Sequence, residues 1–474
     1  MKKTILILLT CAMLFAAAGC TANTKIEEAP MHQTFQVGFG RVNITPDDPV
    51  PLAGYGNTNQ RISSTVLDYL YATCIAITDT SGETLLLYSQ DLVNSSQTET
   101  VRSAVSATTG IPTENIMVAA THTHSAPDQS STHENITFWK LDYVNKIVEA
   151  AEAALADRSD AEIMTGRAET EQLNFIRHFE LSDGSYGGSN FGDFNKNTIV
   201  GYATENDPVL QVIKFQRAAE DKKDIILVNW QAHPLMTGGL TKPDISADFI
   251  GSTRSYLEEK TDGLFAYFTG AAGNHNPHSR ISGDERTRDY KLYGQYLGEY
   301  VLEALENMTK QETGDIAVNR QMYACNINHD MEDKLDDAKK VSELYHSTDR
   351  DTGNVLAREL GFSSVYHADA VLRRAKLEQT RDVELNAVAI GGISFIAAPY
   401  EMFSNHGQYI KENTPFDMTF VISCCNGVNG YIPSTDAYDY GCYESHTGNF
   451  ARETGDELAE EYVSMLNQLK NGGK

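Results

Sequence analysis

Short, wholly apolar runs and longer stretches of helical periodicity follow one another along this chain. Cys74–Thr78, Leu85–Ser89, Ile116–Thr121, Val209–Phe215, Ile225–Trp230, Leu264–Phe268, Val388–Ala397 and Met418–Ile422 are apolar, several of them rich in β-branched residues. Such runs predict strands buried on both faces. Apolar residues recur at helical spacing across Asp142–Ala156, Arg286–Asn307, Glu332–Tyr345, Val365–Leu377 and Glu457–Leu469, which predicts helices packed by one face. The two kinds of element are mixed in order, so the expected fold is α/β: a large single domain with a mixed β-sheet core flanked by helices. The charged, helical stretch from His329 to Asp382 reads as a surface excursion or small subdomain. No fixed-period repeat is present, which excludes solenoids and propellers.

Five of the predicted strands run directly into polar groups able to bind metal or do chemistry. Ile116–Thr121 leads to His122, Ile225–Trp230 to His233, Leu264–Phe268 to the segment Gly270–Pro277, Ile393–Ala397 to Glu401, and Met418–Ile422 to Tyr431. Ligands of open α/β sheets gather beyond the carboxyl ends of the strands. The pattern therefore predicts one site assembled from distant segments.

Charge and composition narrow the partners. The 474 residues include 38 Lys and Arg against 65 Asp and Glu, a formal charge of −27, with 41% hydrophobic and 22% charged residues. The composition is that of a globular protein, and so acidic a chain is not a nucleic-acid binder. At the amino terminus, Lys2 and Lys3 precede an apolar stretch from Ile5 to Ala18, and Ala17-Ala18-Gly19 leads into Cys20. This reads as a lipoprotein signal over residues 1–19, with a lipidated tether over 20–34 and the remainder, 35–474, as the functional domain. The expected location is the extracytoplasmic face of a bacterial envelope membrane, held there through Cys20. Beyond the signal, Cys74, Cys325, Cys424, Cys425 and Cys442 form no CxxC pair, so a thiolate zinc cage is unsupported.

The strongest local motif is Thr121-His122-Thr123-His124-Ser125-Ala126-Pro127. On an extended segment, histidines two apart project to one face, so one can ligate a metal while the other handles a proton or steadies an oxyanion. His233 in Gln231-Ala232-His233-Pro234 and Glu401 in Ala398-Pro399-Tyr400-Glu401 each close an apolar strand. Histidines with one carboxylate are a usual catalytic Zn²⁺ set, leaving a position open for water. Gly430 and Pro433 shape a loop around Tyr431, although the chain has 23 tyrosines and packing explains most of them.

Taken in order, Gly38-Phe39-Gly40-Arg41 through Ile44-Thr45-Pro46, ATHTHSAP, His233-Pro234, GAAGNHNP, APYE and GYIPSTDAYDYGCYE resemble the neutral, or alkaline non-lysosomal, ceramidase family over about residues 35 to 470. The resemblance implies a zinc-dependent amidohydrolase that cleaves the N-acyl amide bond of ceramide or a related N-acyl lipid by metal-activated water. It implies His122, His233, Glu401 and Tyr431 as zinc ligands, His124 beside the reacting carbonyl, Tyr443 at the substrate amide and, by a looser match, Arg177 at the site. Two features depart from the family. Asn274 and Asn276 stand where its GDxSPN-like turn has aspartate and serine, and a carboxamide cannot serve as an acyl-accepting nucleophile. Only 31 residues follow Tyr443, too few for the family's immunoglobulin-like carboxyl-terminal domain. Two other functions fit the same residues: hydrolysis of a different N-acyl or ester small molecule on this scaffold, or non-catalytic binding of an amphiphile.

Overall fold

The computed structural model describes residues 34–55, 61–188, 196–278, 288–347 and 350–472. The expected signal segment and nearly all of the expected tether lie outside these residues, as does Arg286 at the start of one predicted helix. Among the described residues, no helix is long and apolar enough to cross a membrane.

Two β-sheets form the centre. The larger has nine strands, running in space from Leu264–Thr269 through Ile225–Trp230, Val209–Arg217, Ser159–Glu169, Gln36–Asn43, Tyr71–Thr78 and Thr84–Gln90 to Ile116–Ala120, with Thr309–Gln311 added beside Ser159–Glu169. The smaller has four, Ile316–Asn326, Thr380–Ile390, Ile393–Ala397 and Met418–Ile422. Side chains from the two sheets interdigitate: Ile75, Leu85, Leu87 and Phe268 of the first share one buried cluster with Val388, Phe395, Phe420 and Ile422 of the second. Helices cover the outer faces. Glu134–Ala156 packs on one half of the large sheet, Asp248–Thr261 and Tyr290–Glu306 on the other, and Thr454–Lys470 on the small sheet. Each inner strand is thus apolar on both sides, which is why the runs lack alternation.

The expected mixed sheet flanked by helices is present, and its core is two stacked sheets. The run Val388–Ala397 is two strands, because the chain reverses at Gly391-Gly392 and its halves pair antiparallel from Ile390 with Ile393 to Asn386 with Ala397. Strands with one solvated face, Ser159–Glu169 and Ile316–Asn326, were not predicted; their polar positions break the apolar signal. The helix predicted from Asp142 begins at Glu134, with His133 as its cap accepting from the Asn135 amide at 3.2 Å. That helix lies against the strand Gln36–Asn43. A Cβ at Gly40 would fall 2.1 Å from the Ala150 carbonyl oxygen and one at Gly38 2.0 Å from that of Ala154, so the two glycines of the amino-terminal motif set the helix-to-sheet distance. The stretch predicted as a helical excursion holds Leu335–Ser347, Arg350–Glu359 and Val365–Arg374 around a small core of its own.

Within the two central sheets, three strand pairs of the described residues are parallel: Thr84–Gln90 with Ile116–Ala120, Ile225–Trp230 with Leu264–Thr269, and Ile393–Ala397 with Met418–Ile422. Their carboxyl ends meet. Thr269 donates its hydroxyl to the Thr121 carbonyl at 2.7 Å, Ser423 N donates to the Thr269 carbonyl at 2.9 Å, and Ala120 N donates to the Cys424 carbonyl at 3.1 Å.

Candidate metal centre

Directly beyond this junction three side chains converge. The backbone turns out of the strand Ile116–Ala120 into His122 with a left-handed φ of 69°, an uncommon conformation for a residue with a Cβ. This turn aims the imidazole at His233, with 3.2 Å between the two Nε2 atoms. Glu401 Oε2 lies 3.2 Å from His122 Nε2 and 3.1 Å from His233 Nε2. The three atoms form a nearly equilateral triangle.

Hydrogen bonding decides which tautomers are present. His122 Nδ1 lies 2.6 Å from the Val93 carbonyl oxygen and His233 Nδ1 2.7 Å from that of Ala272. A carbonyl can only accept, so each Nδ1 carries the proton and each Nε2 presents a lone pair. With both rings neutral, two lone pairs and a carboxylate oxygen face one point, a donor set that suits a metal ion or, in its place, a proton on His122 Nε2. Donor atoms on a tetrahedron with bonds of 2.0–2.1 Å are separated by about 3.3 Å, so the triangle fits one face of a four-coordinate zinc site. Backbone carbonyls behind the metal-ligating histidines are the usual outer partners of such a centre.

The charges agree. Burial would raise Glu401, yet His122 and His233 outweigh it and hold the carboxyl well below its usual range. Burial and the charge of Arg177 bring His233 down to about 4. For His122 burial opposes a charge, but Cys424, whose Sγ is 3.4 Å from Nδ1, and Glu401 prevail and raise it well above the usual histidine range. The spot favours positive charge.

His124 stands beside the triangle, with Nε2 3.3 Å from His122 Nε2. Together His122, His124 and His233 form a buried group with ligand atoms close enough to hold one ion. Burial, then His122 and His233, depress His124 well below the usual range, so it is neutral at physiological pH. Its Nδ1 is buried with no hydrogen-bond partner among the described residues. The ring fits because Gly54, at φ 99°, has no side chain: a Cβ there would lie 2.6 Å from the His124 ring. Asp248 fixes the loops on either side, accepting from the amide and hydroxyl of Thr237 at 2.7 and 2.8 Å, while the Thr237 hydroxyl reaches Ser125 at 3.1 Å.

Tyr431 is brought alongside Glu401, its register partner in a short parallel pair, and burial with the Glu401 charge raises its phenol well above the ordinary value. The Arg177 guanidinium lies over the Tyr431 ring, 5.3 Å from its centroid. The Tyr443 ring meets that of Tyr431 edge-on at 6.1 Å, and its phenol, raised by burial and Glu444 to about 12, is protonated. All seven residues singled out in the sequence thus lie in one neighbourhood, three of them in mutual contact at the triangle.

The two asparagines divide. Asn274 is structural: its Oδ1 accepts from Ser404 N at 2.9 Å and its Nδ2 donates to the Ser404 hydroxyl at 3.1 Å, tying the Gly-rich turn to the helix Ser404–Asn413. Asn276 pairs with Phe175 in a two-residue antiparallel bridge. Sequence reasoning assigned no role to Cys424, His178 or Glu444. Of these, His178 and Glu444 are chain neighbours of Arg177 and Tyr443, a signal that was legible. Cys74, Cys325, Cys424, Cys425 and Cys442 are buried and free.

A buried His/Glu triangle at the carboxyl ends of α/β strands, flanked by a neutral histidine and phenols, forms a candidate metal-binding centre. The family described as neutral/alkaline non-lysosomal ceramidase, N-terminal, matches residues 35–280, just over half of the chain. The protein belongs to that family and is a hydrolase of amide bonds. Its fold is similar to that of the neutral ceramidase from Pseudomonas aeruginosa, with a TM-score of 0.68 and 17% identity over 93% of this chain and 75% of that one. It is also similar to a ceramidase complexed with C2, with a TM-score of 0.68 and 16% identity over 93% and 76% of the two chains. A comparison with curated proteins finds no match.

Proposed function

We propose that the protein is a zinc-dependent amidohydrolase that cleaves the N-acyl amide bond of ceramide or a related N-acyl lipid. The observation that carries this reading is the triangle of His122 Nε2, His233 Nε2 and Glu401 Oε2, with edges of 3.1 to 3.2 Å. These residues, with Tyr431 as a fourth, would hold Zn²⁺. Bound there, Zn²⁺ supplies Lewis acidity, polarising an amide carbonyl and lowering the pKa of water toward about 7.

The chain's own groups do the rest. His124, neutral and buried, takes a proton from the attacking water at a ring nitrogen and returns it to the leaving amine. Tyr443 donates its phenolic O–H to the amide oxygen as charge develops, and the Arg177 guanidinium steadies that charge. Asn276 supplies no nucleophile, so water attacks without an acyl-enzyme stage. The substrate class is supported by family membership. Lipidation of Cys20 on export would hold the enzyme at the bacterial envelope membrane beside such lipids; a Cys20→Ser variant that still sediments with membranes would count against the anchor.

The deciding experiment is metal analysis combined with N-acylsphingosine hydrolysis for the wild type, His122→Ala and Glu401→Ala, alongside N-acyl amino acids, N-acyl amines and esters. Loss of metal and turnover together is expected in both variants. Retained metal with undiminished turnover overturns the site, and preference for a short acyl group or an ester overturns the lipid amide.

A further inference from the structure

A second buried cluster adjoins the first: His178, Cys442 and Glu444 have ligand atoms close enough together to hold an ion. Its contents argue against a metal. The Arg177 guanidinium pairs with Glu444 Oε1, and His178 Nε2 donates to Glu444 Oε2 at 2.9 Å. Cys442, raised well above the usual thiol range by burial and Glu444, turns its Sγ toward the Ser445 hydroxyl at 3.6 Å. The positive charge that a metal would supply is already provided by arginine.

We infer that Glu444, with His178 behind it, is a positioning residue for Arg177, holding the guanidinium against Tyr431 at the edge of the metal triangle. The inference rests on the hydrolase reading, in which Arg177 steadies charge at the reacting carbonyl. An arginine side chain has several rotatable bonds, and a useful donor must be held in one geometry before reaction. Here it is fixed at both ends. Its backbone N donates to the Asn274 carbonyl at 3.0 Å, and its guanidinium is clamped between Glu444 and the Tyr431 ring. The strand breaks at Arg177, between Phe175–Ile176 and His178–Leu181, which lets consecutive residues reach the same carboxylate.

Glu444 is itself immobile. It is 0% exposed, and its carboxylate is held at about 2, burial being outweighed by Arg177 and His178. His178 is steadied by a 3.3 Å contact from its Nδ1 to the Tyr440 hydroxyl and by the rings of Phe403 and Tyr440. The short helix Tyr443–Thr447, which presents Glu444, is gripped from outside by the helical excursion: His367 stacks on His446 at 4.3 Å, and Arg374 donates to the His446 and Gly448 carbonyls.

The test is a double-mutant cycle of Glu444→Gln and Arg177→Ala in the full chain. It is read by kcat and KM for N-acylsphingosine and, independently of turnover, by the visible absorption of protein reconstituted with Co²⁺. Thermal unfolding of each variant confines the comparison to folded protein. Glu444→Gln is expected to lower kcat by about 10- to 100-fold with KM nearly unchanged, to shift the Co²⁺ bands, and to cost nothing further in the Arg177→Ala background. Glu444→Asp, which keeps the charge, is expected to recover part of the loss. Additive effects, or a wild-type kcat and spectrum in Glu444→Gln, overturn the inference. A wild type that hydrolyses no N-acyl lipid while the Co²⁺ spectra still couple the two positions overturns the substrate and sustains the positioning role. A protein that neither binds Co²⁺ nor turns over overturns both.

Discussion

His122 and His233 face each other through Nε2 atoms 3.2 Å apart while each commits its Nδ1 hydrogen to a main-chain carbonyl. An ion held by this pair and Glu401 joins segments far apart in the chain and binds the folded state alone. Metal removal is therefore expected to destabilise the fold. Zn²⁺ at a free concentration about 1,000 times its Kd stabilises by about 4 kcal/mol. Calorimetry with and without chelator checks this, and an unchanged Tm would contradict it.

His124 sits close enough to the triangle to be mistaken for a ligand, at 3.3 Å from His122 Nε2. If it moves protons, His124→Gln retains one equivalent of zinc and loses kcat by roughly 10²- to 10⁴-fold. Metal content and turnover measured on the same sample separate the cases, since loss of zinc would make His124 a ligand.

Asn274 and Asn276 are expected to respond in opposite ways. Asn274→Ala leaves the buried Ser404 amide without its acceptor and should destabilise by about 1–3 kcal/mol. Asn276→Ala removes no nucleophile and should leave kcat within about threefold. A collapse of kcat in the second variant, with stability intact, would restore a chemical role to that turn.

Asp248 links stability to pH. Burial, reinforced by Asp68, raises its carboxyl from 3.8 to about 6 although the Thr237 and Phe249 amides pull the other way. The folded chain therefore holds a proton that the unfolded chain has released between about pH 4 and 6, and stability falls as pH rises through that window. The change is roughly 3 kcal/mol. Denaturation across this range should show a shallower decline for Asp248→Asn, and an identical profile would remove the assignment.

Much of this was legible in the sequence because inner strands of a two-sheet core are apolar on both faces. Ile225–Trp230 and Met418–Ile422 were read to the residue, and the polar groups that follow them reach the centre. The second sheet was not legible as separate, since the reversal at Gly391-Gly392 interrupts no apolar run. Nor was the pairing of Arg177 with Glu444, 267 positions later, because ion pairing across a fold leaves no local period. His178 and Glu444 do carry a local signal, since each stands next to a residue of the candidate site, Arg177 or Tyr443.

The triangle also has a mechanical meaning. His122 and His233 extend from strands of the nine-stranded sheet, whereas Glu401 follows a strand of the four-stranded one. An ion held by all three would rivet one layer to the other at the rim where the parallel strands end. The stretch of chain matched by the family, residues 35–280, carries both histidines but not the carboxylate. Any force or substitution that lets the layers slide would open the coordination triangle first, so metal affinity should serve as a strain gauge for the interface between the sheets.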